Sequence, residues 1–226
     1  LLQALYGRNG EAPTVLLAAS TPTDCFEMAY EAVRLALHTM GPVVLLTDGY
    51  MANGAEPWRL PDLSTLPELP NQRISENNNP GGDYLPYKRD PESLARSWAV
   101  PGTKGMQHRI GGLEKQEDTG NVSYDPENHE RMCQLRAEKI ERVAQVVPPL
   151  AVFGPEDGDL LVLGWGSTYG AIRQAVIAAQ ASGLRVAHAQ VKYINPFPAN
   201  MEEVLRRYPK VLVPELNLGQ LVRVIR

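Results

Sequence analysis

Short apolar runs flank an amphipathic segment near the start of the chain, and this pattern predicts a strand–helix–strand unit. The runs Thr14–Ser20 and Val43–Leu46 have the length and the bounding residues of buried strands. Between them, apolar side chains recur at helical spacing and form one face, namely Phe26, Ala29, Tyr30, Val33, Leu37 and Met40. Two apolar strands joined by a helix favour a parallel pair with a right-handed crossover.

The predicted helix has clear signals at both ends. At its start, Thr21 is the expected N-cap, Pro22 the first helical residue and Asp24 the residue that closes a capping box. At its end, the Gly41-Pro42 pair stops the helix before the second strand.

A second α/β unit of similar plan follows from Asp159, although no sequence repeat relates the two. Its predicted elements, in order, are the strand Leu160–Leu163, the helix Ala171–Ala181 closed by Gly183, the strand Arg185–Ala189, the helix Met201–Tyr208 and the strand Val211–Val213. The predicted fold class is therefore α/β, with two Rossmann-like units.

The stretch between the two units is irregular and rich in proline from Arg59 to Asp125. A connection of this length is unusual in a compact protein, so it is expected to cover another domain or subunit or to act as a functional loop. The apolar spacing over residues 126–147 then predicts a helix, and its many charges indicate a surface or bridging position. We therefore divide the chain into three parts, residues 1–58, 59–150 and 151–226.

Composition narrows the possible functions. The chain has 226 residues, 43% of them hydrophobic, and a net charge of −4, which gives no basic footprint for nucleic acid. No apolar segment is long enough to span a bilayer, and no signal peptide opens the sequence. Both ends interrupt predicted elements, so we expect an internal piece of a longer, cytoplasmic protein.

No metal site is expected from the sequence. Cys25 and Cys133 stand alone without a CxxC pair, and two reduced thiols are the simplest interpretation. The four histidines show no metal-ligand spacing, and they are His38, His108, His129 and His188.

Candidate binding residues lie where the predicted strands end. Ser20 and Thr21 lie where the first strand meets its helix, and Asp48 lies at the end of the second strand, at the edge where α/β sheets bind ligands. Thr21 has capping as its alternative role. Asp48 either contacts a ligand or accepts hydrogen bonds from the backbone of its own turn. Glu215, after the last predicted strand, is expected to cap the next helix or to bind an N–H group across an interface.

The glycine-rich turn Gly164–Gly170 invites comparison with a dinucleotide-binding loop. Its pattern is G-x-G-x-x-x-G, and the next strand ends without the carboxylate that a ribose would need. A tight strand-to-helix turn capped by Ser167 or Thr168 is the favoured alternative.

Several longer motifs resemble one enzyme family along nearly the whole chain. They are Ala18–Met28, Leu46–Trp58, His108–Glu114, Thr119–His129, Tyr193–Pro198 and Glu215–Leu221, in the order that the family has them. On these residues the chain resembles the alpha subunit of 2-oxoglutarate:ferredoxin oxidoreductases, the 2-oxoacid:acceptor oxidoreductases.

The resemblance implies a thiamine diphosphate enzyme that decarboxylates a 2-oxoacid oxidatively, passing the acyl group to coenzyme A and electrons to ferredoxin. Residues 1–58 would form the back of the pyrimidine-binding domain, and residues 151–226 the front of a transketolase C-terminal-type domain. Ser20, Thr21 and Asp48 would be near the cofactor, with no catalytic residue in this sequence. The family's Tyr-Pro-Ile-Thr-Pro motif, activating glutamate and substrate-binding arginine are not among these residues.

The same resemblance places the diphosphate, its magnesium ion and the iron–sulfur cluster on the partner beta subunit. Two alternatives remain open from the sequence. One is the same architecture acting on pyruvate or a branched-chain 2-oxoacid, and the other is a non-enzymatic Rossmann-like interaction module.

Overall fold

A computed structural model describes residues 1–226 and shows a mixed α/β fold. The helices are α1 (Leu2–Tyr6), α2 (Asp24–Thr39), α3 (Gly49–Asn53), α4 (Pro126–Glu141), α5 (Tyr169–Ala181), α6 (Met201–Arg206) and α7 (Gln220–Val224). The strands are β1 (Val15–Ala18), β2 (Val43–Leu46), β3 (Arg73–Ile74), β4 (Trp98–Ala99), β5 (Val152–Phe153), β6 (Leu160–Trp165), β7 (Val186–Val191), β8 (Tyr193–Asn195) and β9 (Val211–Leu212). None of the helices combines the length and the apolar character needed to cross a membrane.

The first sheet has the strand order β2-β1-β8. The parallel pairing of β1 with β2 is confirmed, with Val15 opposite Val43 and Ala18 opposite Leu46. The central strand β1 is fully buried, as expected. The expectation that β2 is buried is wrong, because β2 is the edge strand of this sheet and its residues are only half-buried.

The second sheet has the strand order β5-β7-β6-β9. Its central strands β6 and β7 run parallel over six residue pairs, from Leu160 opposite Val186 to Trp165 opposite Val191. The predicted α/β plan is therefore confirmed, although β6 extends two residues further than its pattern suggested. Gly183 ends the helix region in the left-handed conformation, at φ +85°.

These two sheets share a hydrophobic core, and the first sheet takes its third strand from the second half of the chain. Strand β8 comes from the second half of the sequence yet pairs antiparallel with β1 of the first sheet. One core cluster contains Leu16 and Ala18 of β1 together with Leu161 and Leu163 of β6. Because side chains of both units belong to this cluster, the two units form one packed body. Burial of such side chains stabilises the fold by about 25 cal/mol for each Å² of apolar surface removed from water. The division into residues 1–58, 59–150 and 151–226 stays a prediction.

Helix α4 connects the irregular segment to the first sheet. In its middle, Met132 and Leu135 pack against Leu94 of the irregular segment. Near its end, Ile140 joins the cluster that contains Val15 of β1. This helix has the bridging position that its mixed composition predicted, and it ends at Glu141 before a short 3₁₀ turn.

The start of α2 differs in detail from its prediction. The helix begins at Asp24 instead of Pro22, because residues 21–23 form a tighter turn in which the Cys25 N–H donates to the Pro22 carbonyl and the Phe26 N–H to the Thr23 carbonyl. Thr21 Oγ1 does accept the Asp24 N–H, at 3.2 Å. The second bond of a capping box would join the Asp24 side chain to the Thr21 N–H. Here Asp24 Oδ2 accepts the Ser20 N–H instead, at 2.8 Å.

Candidate functional site

The carboxyl ends of β2, the edge strand of the first sheet, and of β6, a central strand of the second, meet around one cavity of about 420 Å³. Loops that follow β2 and β6 provide most of its walls, as expected for ligand sites in α/β sheets. Its lining residues are Leu1, Leu46, Thr47, Asp48, Gly49, Tyr50, Met51, Trp165, Gly166, Ser167, Thr168, Leu216 and Asn217.

Asp48 connects the two loops at this cavity. Its Oδ1 accepts the backbone N–H groups of Tyr50 and Met51, at 3.0 and 3.1 Å, and so caps α3. Its Oδ2 accepts the hydroxyl of Ser167 and the Ser167 N–H, the latter at 3.4 Å. The capping role that the sequence allowed for Asp48 is present, and a contact between the units is added to it.

These bonds control the charge of Asp48. Partial burial alone would raise the pKa of its carboxyl, but the hydrogen bonds from Ser167, Met51 and Tyr50 outweigh burial and hold the pKa below its ordinary value. Asp48 is therefore ionised at neutral pH, and its four hydrogen bonds fill the acceptor sites of the carboxylate.

The glycine-rich turn after β6 has a different use from the predicted one. The expectation that Ser167 or Thr168 caps α5 is wrong, because α5 has no side-chain cap. Ser167 instead donates to Asp48, and Thr168 Oγ1 donates to the Trp165 carbonyl at 2.7 Å. Gly166 has φ +61°, which aims Ser167 at the first unit and which residues with a Cβ rarely adopt.

A second hydrogen-bond network brings Ser20 to the same junction. Gln190, on β7, donates from Nε2 to Ser20 Oγ at 3.2 Å and to the Gly166 carbonyl at 3.0 Å. Its Oε1 lies 3.3 Å from Nε2 of His188. Because the amide nitrogen of Gln190 donates, its oxygen accepts, which assigns the ring proton of His188 to Nε2.

Thr21 lies outside this network. It lines a neighbouring cavity of about 390 Å³ together with Ser20, Gln190 and Lys192. There Lys192 Nζ lies 2.5 Å from Oδ1 of Asp24, whose side chain is 7% exposed. Of the three predicted site residues, Asp48 lines the first cavity, whereas Ser20 and Thr21 line the second. Gln190 connects Ser20 to the turn that contacts Asp48.

Glu215 fixes the outer wall of the first cavity. It accepts the Leu221 N–H at 2.9 Å and the Val222 N–H at 3.3 Å, so its predicted capping of the next helix is confirmed. It also accepts the indole N–H of Trp165 at 3.0 Å. Burial raises the pKa of Glu215, but the Leu221 N–H, the Trp165 indole and the Val222 N–H outweigh burial and lower it.

Sequence reasoning missed Gln190 and Trp165. Each lies at or near the end of a strand of the second sheet, and that position is the signal that could have identified them.

Two family descriptions match this chain. Residues 1–126 match pyruvate flavodoxin/ferredoxin oxidoreductase, thiamine diphosphate-binding. Residues 158–226 match pyruvate:ferredoxin oxidoreductase core domain II.

Relatives with related names match nearly the whole chain. The 2-oxoglutarate oxidoreductase subunit KorA of Mycobacterium tuberculosis is 54% identical over 100% of this chain and 34% of its own length. The 2-oxoglutarate synthase subunit KorA of Methanothermobacter marburgensis is 25% identical over 98% of this chain and 57% of its own length. This chain thus spans about a third to a little over half of these relatives.

One solved structure has the same fold throughout. It is the 2-oxoglutarate:ferredoxin oxidoreductase from Magnetococcus marinus with 2-oxoglutarate, coenzyme A and succinyl-CoA bound. The superposition has a TM-score of 0.87 at 31% identity and covers 100% of this chain and 39% of the other.

Proposed function

This chain belongs to the pyruvate flavodoxin/ferredoxin oxidoreductase family of enzymes, and from that premise we propose that it is part of the alpha subunit of a 2-oxoglutarate:ferredoxin oxidoreductase. The observation that carries the proposal is the match, over the full chain, to a solved enzyme of that name with 2-oxoglutarate and coenzyme A bound. The 54% identical relative has 2-oxoglutarate in its name as well, which favours this substrate over pyruvate or a branched-chain 2-oxoacid.

In the proposed reaction, 2-oxoglutarate loses carbon dioxide, the remaining acyl group forms a thioester with coenzyme A, and the electrons released pass to ferredoxin. Thiamine diphosphate supplies the carbanion chemistry for the loss of carbon dioxide. We propose that the beta subunit holds the magnesium ion and an iron–sulfur cluster, and that this chain provides one side of the active-site cleft.

The lining of the cavity is suited to form one side of a binding site for such a cofactor. Leu46, Met51 and Trp165 give it apolar surface, which suits the ring end of an organic cofactor. The carboxylate of Asp48 is already fully hydrogen-bonded, so it is a positioning residue in this proposal, holding the loop after β2 to the loop after β6. No step of the reaction needs a proton from it.

The assignment of Ser20, Thr21 and Asp48 to cofactor binding stays a prediction. Of the three, Ser20 is the best candidate for a positioning residue. Its hydroxyl oxygen accepts a hydrogen bond from Gln190, and Gln190 in turn donates to the carbonyl of Gly166. Thr21 is solvent-accessible at the start of α2. Retention of thiamine diphosphate by the assembled enzyme, measured for Ser20→Ala, Thr21→Ala and Asp48→Asn, distinguishes these roles.

The substrate is tested with the full alpha subunit assembled with its beta partner. We expect coenzyme A-dependent reduction of ferredoxin with 2-oxoglutarate, with kcat/KM at least tenfold above that for pyruvate or a branched-chain 2-oxoacid. A preference for one of those acids would replace the proposed substrate and keep the enzyme class. An assembled complex that binds its partner but reduces ferredoxin with none of the three would instead support the interaction module.

A further inference from the structure

A second cluster of chemically reactive side chains lies away from the cavity. On α4, His129 and Cys133 are one helical turn apart, and Glu11 reaches them from the loop after α1. One ligand atom from each residue lies within 4.8 Å of the others. The Cys133 sulfur is 3.7 Å from Nε2 of His129 and 3.1 Å from Oε1 of Glu11.

The histidine ring is held in the orientation that a metal ligand requires. Oε2 of Glu114 lies 2.7 Å from Nδ1 of His129, which fixes the ring and assigns the proton to Nδ1. The Nε2 lone pair is then directed towards Cys133. A carboxylate on the far nitrogen of a histidine is the usual outer-shell partner of a metal-bound imidazole.

We propose that Glu11, His129 and Cys133 bind a divalent cation of the zinc class, with the fourth position open to water. Sulfur, imidazole nitrogen and carboxylate oxygen are the ligands that Zn²⁺ takes in proteins. The separation of sulfur and nitrogen suits two ligands on one tetrahedral ion, because ligand bonds of about 2.0 to 2.3 Å place such atoms somewhat less than 4 Å apart.

The positive charge of the neighbouring Arg136 can be balanced when the cation binds. Its guanidinium lies 3.1 Å from both the Cys133 sulfur and Glu11 Oε1, and 3.3 Å from Oε1 of Glu114. When the ion binds, the thiol proton of Cys133 leaves to solvent, and thiolate and carboxylate together neutralise the divalent charge. Glu114 remains to pair with Arg136.

The cluster is accessible to ions in solution, since Glu11 and His129 are exposed and Cys133 is half-exposed. It is independent of the proposed reaction, because none of its residues lines the cavity between the sheets. The proposal therefore stands or falls separately from the 2-oxoacid assay.

The test measures metal binding by the reduced full chain after removal of metal with a chelator. Dialysis against Zn²⁺, followed by elemental analysis, is expected to give one zinc per chain. Replacement with Co²⁺ is expected to give a thiolate-to-cobalt absorption band. Cys133→Ser and His129→Gln should each lose the zinc, while Cys25→Ser, which removes the other thiol, should retain it.

Glu114→Gln provides a graded test. We expect it to keep the site and weaken zinc binding by about 10- to 100-fold, as for other outer-shell partners. Wild-type protein that retains no zinc, or Cys133→Ser protein that binds as much zinc as the wild type, would overturn the proposal. Circular dichroism of each variant identifies any loss that comes from unfolding.

Discussion

Ser167 donates its side-chain hydroxyl to the carboxylate of Asp48, which lies 119 residues earlier in the chain. This bond joins the turn after β6 to the turn after β2, and it is made at the open edge where the two sheets meet. The geometry of the cavity therefore depends on a polar contact between the units as well as on their common core.

Ser167→Ala should lower the free energy of unfolding by about 1 kcal/mol, since a partly exposed hydrogen bond to a charged group is lost. Asp48→Ala should cost about 2 kcal/mol, because it also removes the cap of α3. In urea denaturation, Ser167→Ala should then cost almost nothing in the Asp48→Ala background. Fully additive losses would show that the two residues do not interact.

Gly166→Ala should destabilise the protein by about 1 to 2 kcal/mol, because φ +61° is unfavourable for a residue with a Cβ. Gly170 is the matched control in the same glycine-rich turn. It lies in α5, and an added Cβ there meets nothing within 4 Å. Gly170→Ala should raise the free energy of unfolding by about 0.5 to 1 kcal/mol. Thermal unfolding of both variants tests the difference in sign.

Lys192→Met should cost about 2 kcal/mol of stability, because it leaves the buried Asp24 carboxylate without its cation while Lys192 itself is 36% exposed. The matched control is Arg206→Met, which breaks an ion pair with Glu202 whose side chains are more than 70% exposed. That change should cost at most about 0.5 kcal/mol. Equal losses in chemical denaturation would contradict the role of burial.

Stability should fall as the pH drops from about 6.5 to 4, in part because of His188. Burial, with a smaller effect of Arg173, lowers the pKa of His188 from 6.5 to about 4, so the folded protein keeps the ring neutral where the unfolded chain takes up a proton. Proton uptake by the unfolded state favours unfolding, by up to about 3 kcal/mol at the acid end of this range.

The variant His188→Gln removes this ionisable group and should flatten the pH dependence between pH 6.5 and 5, measured as the free energy of unfolding in urea. The control is the wild-type protein in the same buffers, since both proteins share all carboxylates. Parallel curves for the two proteins would exclude His188 as a cause.

The regular elements were predictable because local pattern decides them. Apolar runs and helical spacing placed β1, α2 and β6. The polar residues after the strands singled out Ser20 and Asp48, whose part in cofactor binding stays a prediction. These features depend on neighbours in sequence, which a single chain displays directly.

Features that depend on distant partners were missed or misassigned. Local chemistry made Ser167 a helix cap, whereas a carboxylate from the other unit is its acceptor. The His129 and Cys133 spacing is visible in the sequence, but Glu11 completes that cluster from more than a hundred residues away. The half-buried state of β2 likewise follows from its place at a sheet edge, which no local pattern shows.

The pairing of β8 with β1 has a consequence for the biosynthesis of this protein. Because translation runs from the N-terminus, β1 and β2 emerge from the ribosome long before Tyr193–Asn195 exist. Until then, one backbone edge of β1 beside Leu16 and Leu17 has no partner, and such edges promote aggregation. The nascent chain therefore carries an unpaired strand edge at β1, open to association with other chains, until translation has passed Asn195.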